Sequence, residues 1–115
     1  MTRVHYIRRG NHFSLVCCGH ADFAEKGKDI VCAGISALCG ALEIALDNLQ
    51  DRGIAASCFC RSGDGFFCAE AEAVPQNSGI QTAFDVVYDG LCRIGEGYPM
   101  HLSCRRITLR EEVKA

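Results

Sequence analysis

Apolar and polar positions alternate from residue 3 to residue 19, with a break at Gly10–Asn11. This pattern predicts a hairpin of strands Arg3–Arg9 and His12–Gly19 around a two-residue turn. In the second strand Phe13, Leu15 and Cys17 share one face, and His12, Ser14 and Val16 share the other. His5 and His12 read as strand residues near solvent and take no functional role. Residues 20–28 carry charge and Gly27 but little apolar content, as in an exposed loop. The period then changes. Val31, Ile35, Leu38, Leu42, Ala45 and Leu49 recur at spacings of three and four, which is one stripe of a long helix. Asp29 is a favoured N-cap and places Cys32 at the third helical position; Gly53 supplies a stop. Gly34 and Gly40 lie inside this helix at a cost of up to ~1 kcal/mol each against alanine. Close packing against a sheet or a second subunit would account for them.

A second hairpin follows, Ile54–Cys60 and Phe66–Val74 around Ser62–Gly63–Asp64–Gly65. Phe67, Ala69, Ala71 and Ala73 alternate there with Glu70 and Glu72, so one face is wet. After Pro75, Ser78 and Gln81 have the spacing of a capping box. Ile80, Phe84, Val87, Leu91 and Ile94 continue at helical spacing to an end near Gly95 and Gly97. Met100, Leu102 and Cys104 alternate with His101, Ser103 and Arg105, predicting a last strand in which His101 is structural. The order is β-β-α-β-β-α-β. The expectation is an α+β fold, a single domain over residues 1–115, with a mixed, largely antiparallel sheet packed with two helices.

With hydrophobic residues at 49% of the chain, a core needs no covalent staples. The nine cysteines are odd in number, fall within strand-like and helix-like runs, and include no CxxC pair. Most of them read as buried thiols of a reducing compartment, and the set reads neither as disulfides nor as a zinc site. The N-terminus has no apolar signal-peptide core, and no run is expected to span a membrane. The expected location is therefore cytoplasmic. Charge is unevenly placed: residues 1–28 carry five Lys/Arg against two Asp/Glu, and residues 29–96 three against ten. A nucleic-acid binder would concentrate basic charge, so direct nucleic-acid binding is not expected. Glu43, Asp47 and Asp51 read as a solvated helix face, or as a negative surface attracting a basic polypeptide.

Chemistry concentrates in residues 19–34, "GHADFAEKGKDIVCAG". A thiol attacks as thiolate, and a helix N-terminus or a neighbouring imidazolium favours that form. Cys32 has the first by position, and His20 supplies the second if the loop folds back. First-turn amides are unbonded within the helix and could hold an oxyanion. Asp29 could cap the helix or orient His20. Ser36, one turn beyond Cys32, shares its face, or is a small polar residue packed under the sheet. Cys39 reads as an inert core cysteine.

"GHA" at 19–21, Gly27, "DIVCA" at 29–33 and "SAL" at 36–38 resemble the bacterial ribosomal-processing cysteine protease (Prp) family. "GL" at 90–91, "GYP" at 97–99, the length and the element order are similar too. Gly34 departs from the alanine of the family pattern, as do Cys17–Cys18 before "GH". The resemblance implies a cysteine endopeptidase that removes the N-terminal extension of a large-subunit ribosomal protein. It implies His20 and Cys32 as catalytic residues, Asp29 and Ser36 as supporting residues, and Gly19, Ala21 and Gly27 in a loop over the substrate cleft. It further implies a homodimer, no metal or other cofactor, and apolar, aromatic residues just before the cut. Two other readings use the same residues: a non-catalytic ribosome-associated peptide-binding module, and a thiol redox sensor with a resolving cysteine near Cys32.

Overall fold

The computed structural model describes residues 1–110, and its elements follow the expected order: β1 (Thr2–Arg9), β2 (His12–Cys18), α1 (Ile30–Asp51), β3 (Ala55–Gly63), β4 (Phe66–Ala73), α2 (Gly79–Gly97) and β5 (Leu102–Leu109). The five strands form one sheet in the order β3-β4-β2-β1-β5. Three ladders are antiparallel, and β1–β5 is parallel. The sheet is thus mixed and largely antiparallel.

Topology puts both helices on one face. The connection from β2 to β3 through α1 crosses β4 in one direction, and that from β4 to β5 through α2 crosses β2 and β1 in the other. Since β2 and β4 are antiparallel, strand direction and direction of travel reverse together. Two crossovers of the same, right-handed sense therefore land on the same side. There α1 packs on β3, α2 packs on β5, and the helices touch each other.

The core fills this layer with alternate strand residues: Val4 and Tyr6, Phe13 and Leu15, Ala69 and Ala71, all essentially buried. Helix α1 contributes Val31, Ile35, Cys39, Leu42 and Leu46, and α2 contributes Ile80, Phe84, Val87, Tyr88 and Leu91. The α1 stripe is thus rotated slightly from its expected line: Cys39 and Leu46 are fully inside, whereas Leu38, Ala45 and Leu49 lie at the margin. Contact between the helices is the reason. A Cβ on Gly90 would stand 3.0 Å from Leu38 Cδ1, and one on Gly34 would stand 3.1 Å from Ile94 Cδ1. Gly34 is therefore explained by the second helix, while Gly40 would meet nothing within 4 Å.

Four local expectations change. The second hairpin turns more tightly, because Arg61–Gly63 belong to β3 and only Asp64–Gly65 form the turn. Ser78 sits at the N-cap of α2, but its side chain makes no capping bond, so the capping box does not form; Asn77 Oδ1 instead accepts the Gly79 N–H at 2.9 Å. Met100 and His101 belong to the turn before β5. Finally, α1 is by length and composition apolar enough to cross a membrane, with a window of mean hydropathy 1.8. Its five buried residues instead pack on the sheet of its own chain, which gives the apolar stripe its partner.

Candidate active site

The start of α1 is built around one carboxylate. Asp29 has extended backbone (φ −86°, ψ 99°), and its Oδ1 accepts the Cys32 N–H at 2.8 Å. Its Oδ2 accepts the N–H groups of Phe23 and Ala24 at 3.0 and 3.3 Å. These bonds, chiefly the one from Cys32, hold the Asp29 carboxyl below its ordinary range. Asp29 therefore caps the helix and shapes the preceding loop together. Cys32 lies on the first turn, as its place in the sequence predicts, and its side chain is exposed.

The segment carrying His20 is fixed on both sides. Gly19 (φ +94°) donates its N–H to the Gly65 carbonyl at 2.9 Å and accepts Thr2 Oγ1–H at 3.1 Å. A Cβ on Gly19 would stand 2.5 Å from the Met1 carbonyl oxygen, so glycine is required there twice over. Ala21 is buried, and its carbonyl accepts from His101 Nδ1 at 2.8 Å. The Phe23 ring stands edge-on to Tyr98 and His101, with centroids 5.1 and 5.3 Å apart. His101 is thus structural, as expected, and what it holds is the site loop.

His20 itself is about half exposed. The outer edge of its imidazole lies over Gly65, where a Cβ would stand 2.8 Å from Nε2. Nε2 is 3.7 Å from Asp64 Oδ1.

Two adjoining clefts, of about 400 and about 640 Å³, meet at this point. His20, Ala21, Cys32, Ser36 and Asp64 line both. The first runs over Cys17, Ile35, Cys39 and Phe67, with Glu43 on its wall. The second follows the loop past Lys26, Gly27, Lys28 and Asp29. Gly27 adopts φ +88° there and touches nothing that a side chain would displace.

The structure thus brings His20, Cys32 and Ser36 to one seam. Ser36 is exposed, not packed under the sheet, because Ile35 and Cys39 take the inward positions of that helix turn. Two amides at the start of the helix are already engaged. The Cys32 N–H is committed to Asp29 Oδ1 and the Ala33 N–H to the Asp29 carbonyl, so neither is free for an oxyanion. Cys39 is buried, with its Sγ 3.7 Å from Cys17 Sγ. That contact, and then burial, push the Cys17 thiol up. That thiol pair does not include Cys32. Asp64 and Gly65 carry no functional signal in the sequence beyond a turn. Only the tertiary pairing of β2 with β4 brings them to His20.

The family model described as Cysteine protease Prp matches residues 1–103. No curated protein matches the chain by sequence. Among solved structures, SMU.848 from Streptococcus mutans superposes with a TM-score of 0.67 at 27% identity, over 95% of this chain and 96% of that one. The essential ribosomal processing protease Prp from S. aureus, in complex with a covalently linked product peptide, gives 0.71 at 24% identity, over 92% and 99%. The same protease with a substrate peptide gives 0.65 at 23% identity, over the same shares. At these last identities the likeness is one of fold.

Proposed function

The chain belongs to the cysteine protease Prp family, and from that premise we propose that it removes the N-terminal extension of a large-subunit ribosomal protein, using Cys32 and His20. The observation that carries this reading is the seam: the exposed thiol and the imidazole line both clefts where they meet. An extended peptide laid across the seam has room on either side of its scissile bond. The first cleft, floored by Cys17, Ile35, Cys39 and Phe67, suits apolar or aromatic side chains before the cut. The acidic middle of the chain, with Glu43 on that wall, suits a basic ribosomal segment.

In this mechanism the Cys32 thiolate attacks the scissile carbonyl carbon, and the thiol proton resides on His20. The imidazolium protonates the leaving amine as the C–N bond breaks, and water, deprotonated by His20, then releases the acyl group from sulfur. With the Cys32 and Ala33 amides engaged, the Ser36 hydroxyl one turn along is the donor proposed to face the oxyanion. Asp29 supports the reaction by fixing the start of the helix. The loop carrying Gly19, Ala21 and Gly27 forms one wall of the substrate path. The family resemblance also supports a homodimer in the cytoplasm, for which light scattering of the purified protein is the check.

The test incubates the pure protein with the extended ribosomal protein of the same organism and locates any cut by mass spectrometry. One cut at the end of the extension is expected, abolished in Cys32→Ala and in His20→Ala. Unchanged cleavage by Cys32→Ala would sink the assignment, as would an intact substrate with the wild type. The latter result, with retained binding, would point to a peptide-binding module.

A further inference from the structure

Resting on the protease reading, we infer that Asp64, at the tip of the β3–β4 hairpin, is the positioning residue for the His20 imidazole. A histidine that passes a proton between thiol and leaving group works best with one ring nitrogen held, so that the other meets the sulfur. Asp29 is the nearer carboxylate in sequence, but its two oxygens hold the amides of Cys32, Phe23 and Ala24. Asp64 lies 44 residues along the chain from His20, yet its Oδ1 is 3.7 Å from Nε2.

The hairpin tip is not there by chance of a mobile turn. The Gly19 N–H bonds the Gly65 carbonyl at 2.9 Å, continuing the β2–β4 ladder one rung past Cys18↔Phe66. Gly65, lacking a Cβ, lets the ring edge lie against the turn backbone. Nε2 is thereby directed at the tip, and Nδ1 is the nitrogen proposed to exchange the proton with Cys32 Sγ. When His20 holds that proton, the Asp64 carboxylate is the anion beside it. The hairpin residue is almost fully exposed, so its contribution is modest and sensitive to salt.

The test measures cleavage of a fluorogenic peptide, carrying aromatic residues before its scissile bond, by wild type, Asp64→Asn, Asp64→Glu and His20→Ala. Asp64→Asn should lower kcat roughly two- to fivefold at low ionic strength with KM unchanged, as befits an exposed ion pair. Asp64→Glu should restore part of the loss, and the difference should fade toward 0.5 M salt. A change in KM alone would assign Asp64 to substrate binding instead and overturn the inference, as would an unchanged kcat. Nitrogen-15 NMR of the His20 ring gives a second readout independent of turnover. The Nε2–H tautomer should fall in Asp64→Asn, and an unaltered tautomer balance would likewise overturn the inference. A wild type that cleaves nothing fails the protease reading, whereas a wild type matched by Asp64→Asn fails only this one.

Discussion

The Asp29 carboxylate holds the Cys32 backbone N–H at 2.8 Å with one oxygen and the loop amides of Phe23 and Ala24 with the other. The exposed thiol and the loop beside it are therefore placed by the same side chain. Its ionisation matters to both, and the sign is set by the lowered pKa. A carboxyl depressed on folding contributes stability that is present above its ordinary value of 3.8 and is lost as pH falls through the lowered folded value.

Asp29→Asn keeps a good capping residue but has one acceptor oxygen where two are used. It should lower Tm at neutral pH, by less than Asp29→Ala does. The gap between wild type and Asp29→Asn should close in acid, below pH 3.8, where the wild-type carboxylate takes up its proton. Calorimetric scans from pH 7 to pH 2.5 check this. A gap that widened on acidification would contradict the capping role.

Gly65→Ala should damage catalysis beyond its effect on stability. The residue has φ +65°, where alanine costs about 1–2 kcal/mol. The new methyl would also stand 2.8 Å from His20 Nε2 and drive the ring from its seat. A displacement of that kind costs on the order of 10²-fold in kcat/KM. Kinetics alongside urea unfolding would separate the two effects.

Gly40→Ala should do the reverse. Its Cβ meets nothing within 4 Å, so the gain in helix propensity of about 1 kcal/mol should appear as a Tm rise of about 4 °C. Gly40 also lines the first cleft. The stabilised variant should therefore show a raised KM for peptides with a bulky aromatic before the cut, and a smaller change for peptides with alanine there.

Phe23→Ala removes the edge-on contacts to Tyr98 and His101, a loss of about 1 kcal/mol for such a pair of rings. Hydrogen exchange should quicken at residues 22–28 while the strands of the central sheet keep their protection. His101→Ala should release the same loop by removing the bond to the Ala21 carbonyl.

The elements were legible because their periods differ. Phe13, Leu15 and Cys17 at every second position and Val31, Ile35 and Leu42 at helical spacing need no tertiary information. The cap was equally legible, since Asp29 and the amide it binds are three residues apart. What could not be read was anything set by packing between elements. The rotation of α1 that buries Leu46 depends on Gly90 and Leu38 meeting across two helices. The unused capping box at Ser78 reflects Asn77 reaching the first amide instead. The apolarity of α1 is not one unbroken run, and its five buried residues find their partners only in the folded chain. In the site, Cys32 stands out by its place in the capped first turn, while its pairing with His20 is what the family resemblance implies; Asp64 and Gly65 reach them only through the β2–β4 pairing.

That pairing gives the hairpin tip a second meaning. Cys18↔Phe66 is the outermost rung of the ladder, and the Gly19–Gly65 bond extends it to the imidazole. A slip of one residue would turn every side chain of the strand to the opposite face and take the seat away from His20. On the proposed mechanism, turnover therefore reports the alignment of β2 with β4. In refolding, turnover should return no earlier than the β2–β4 ladder.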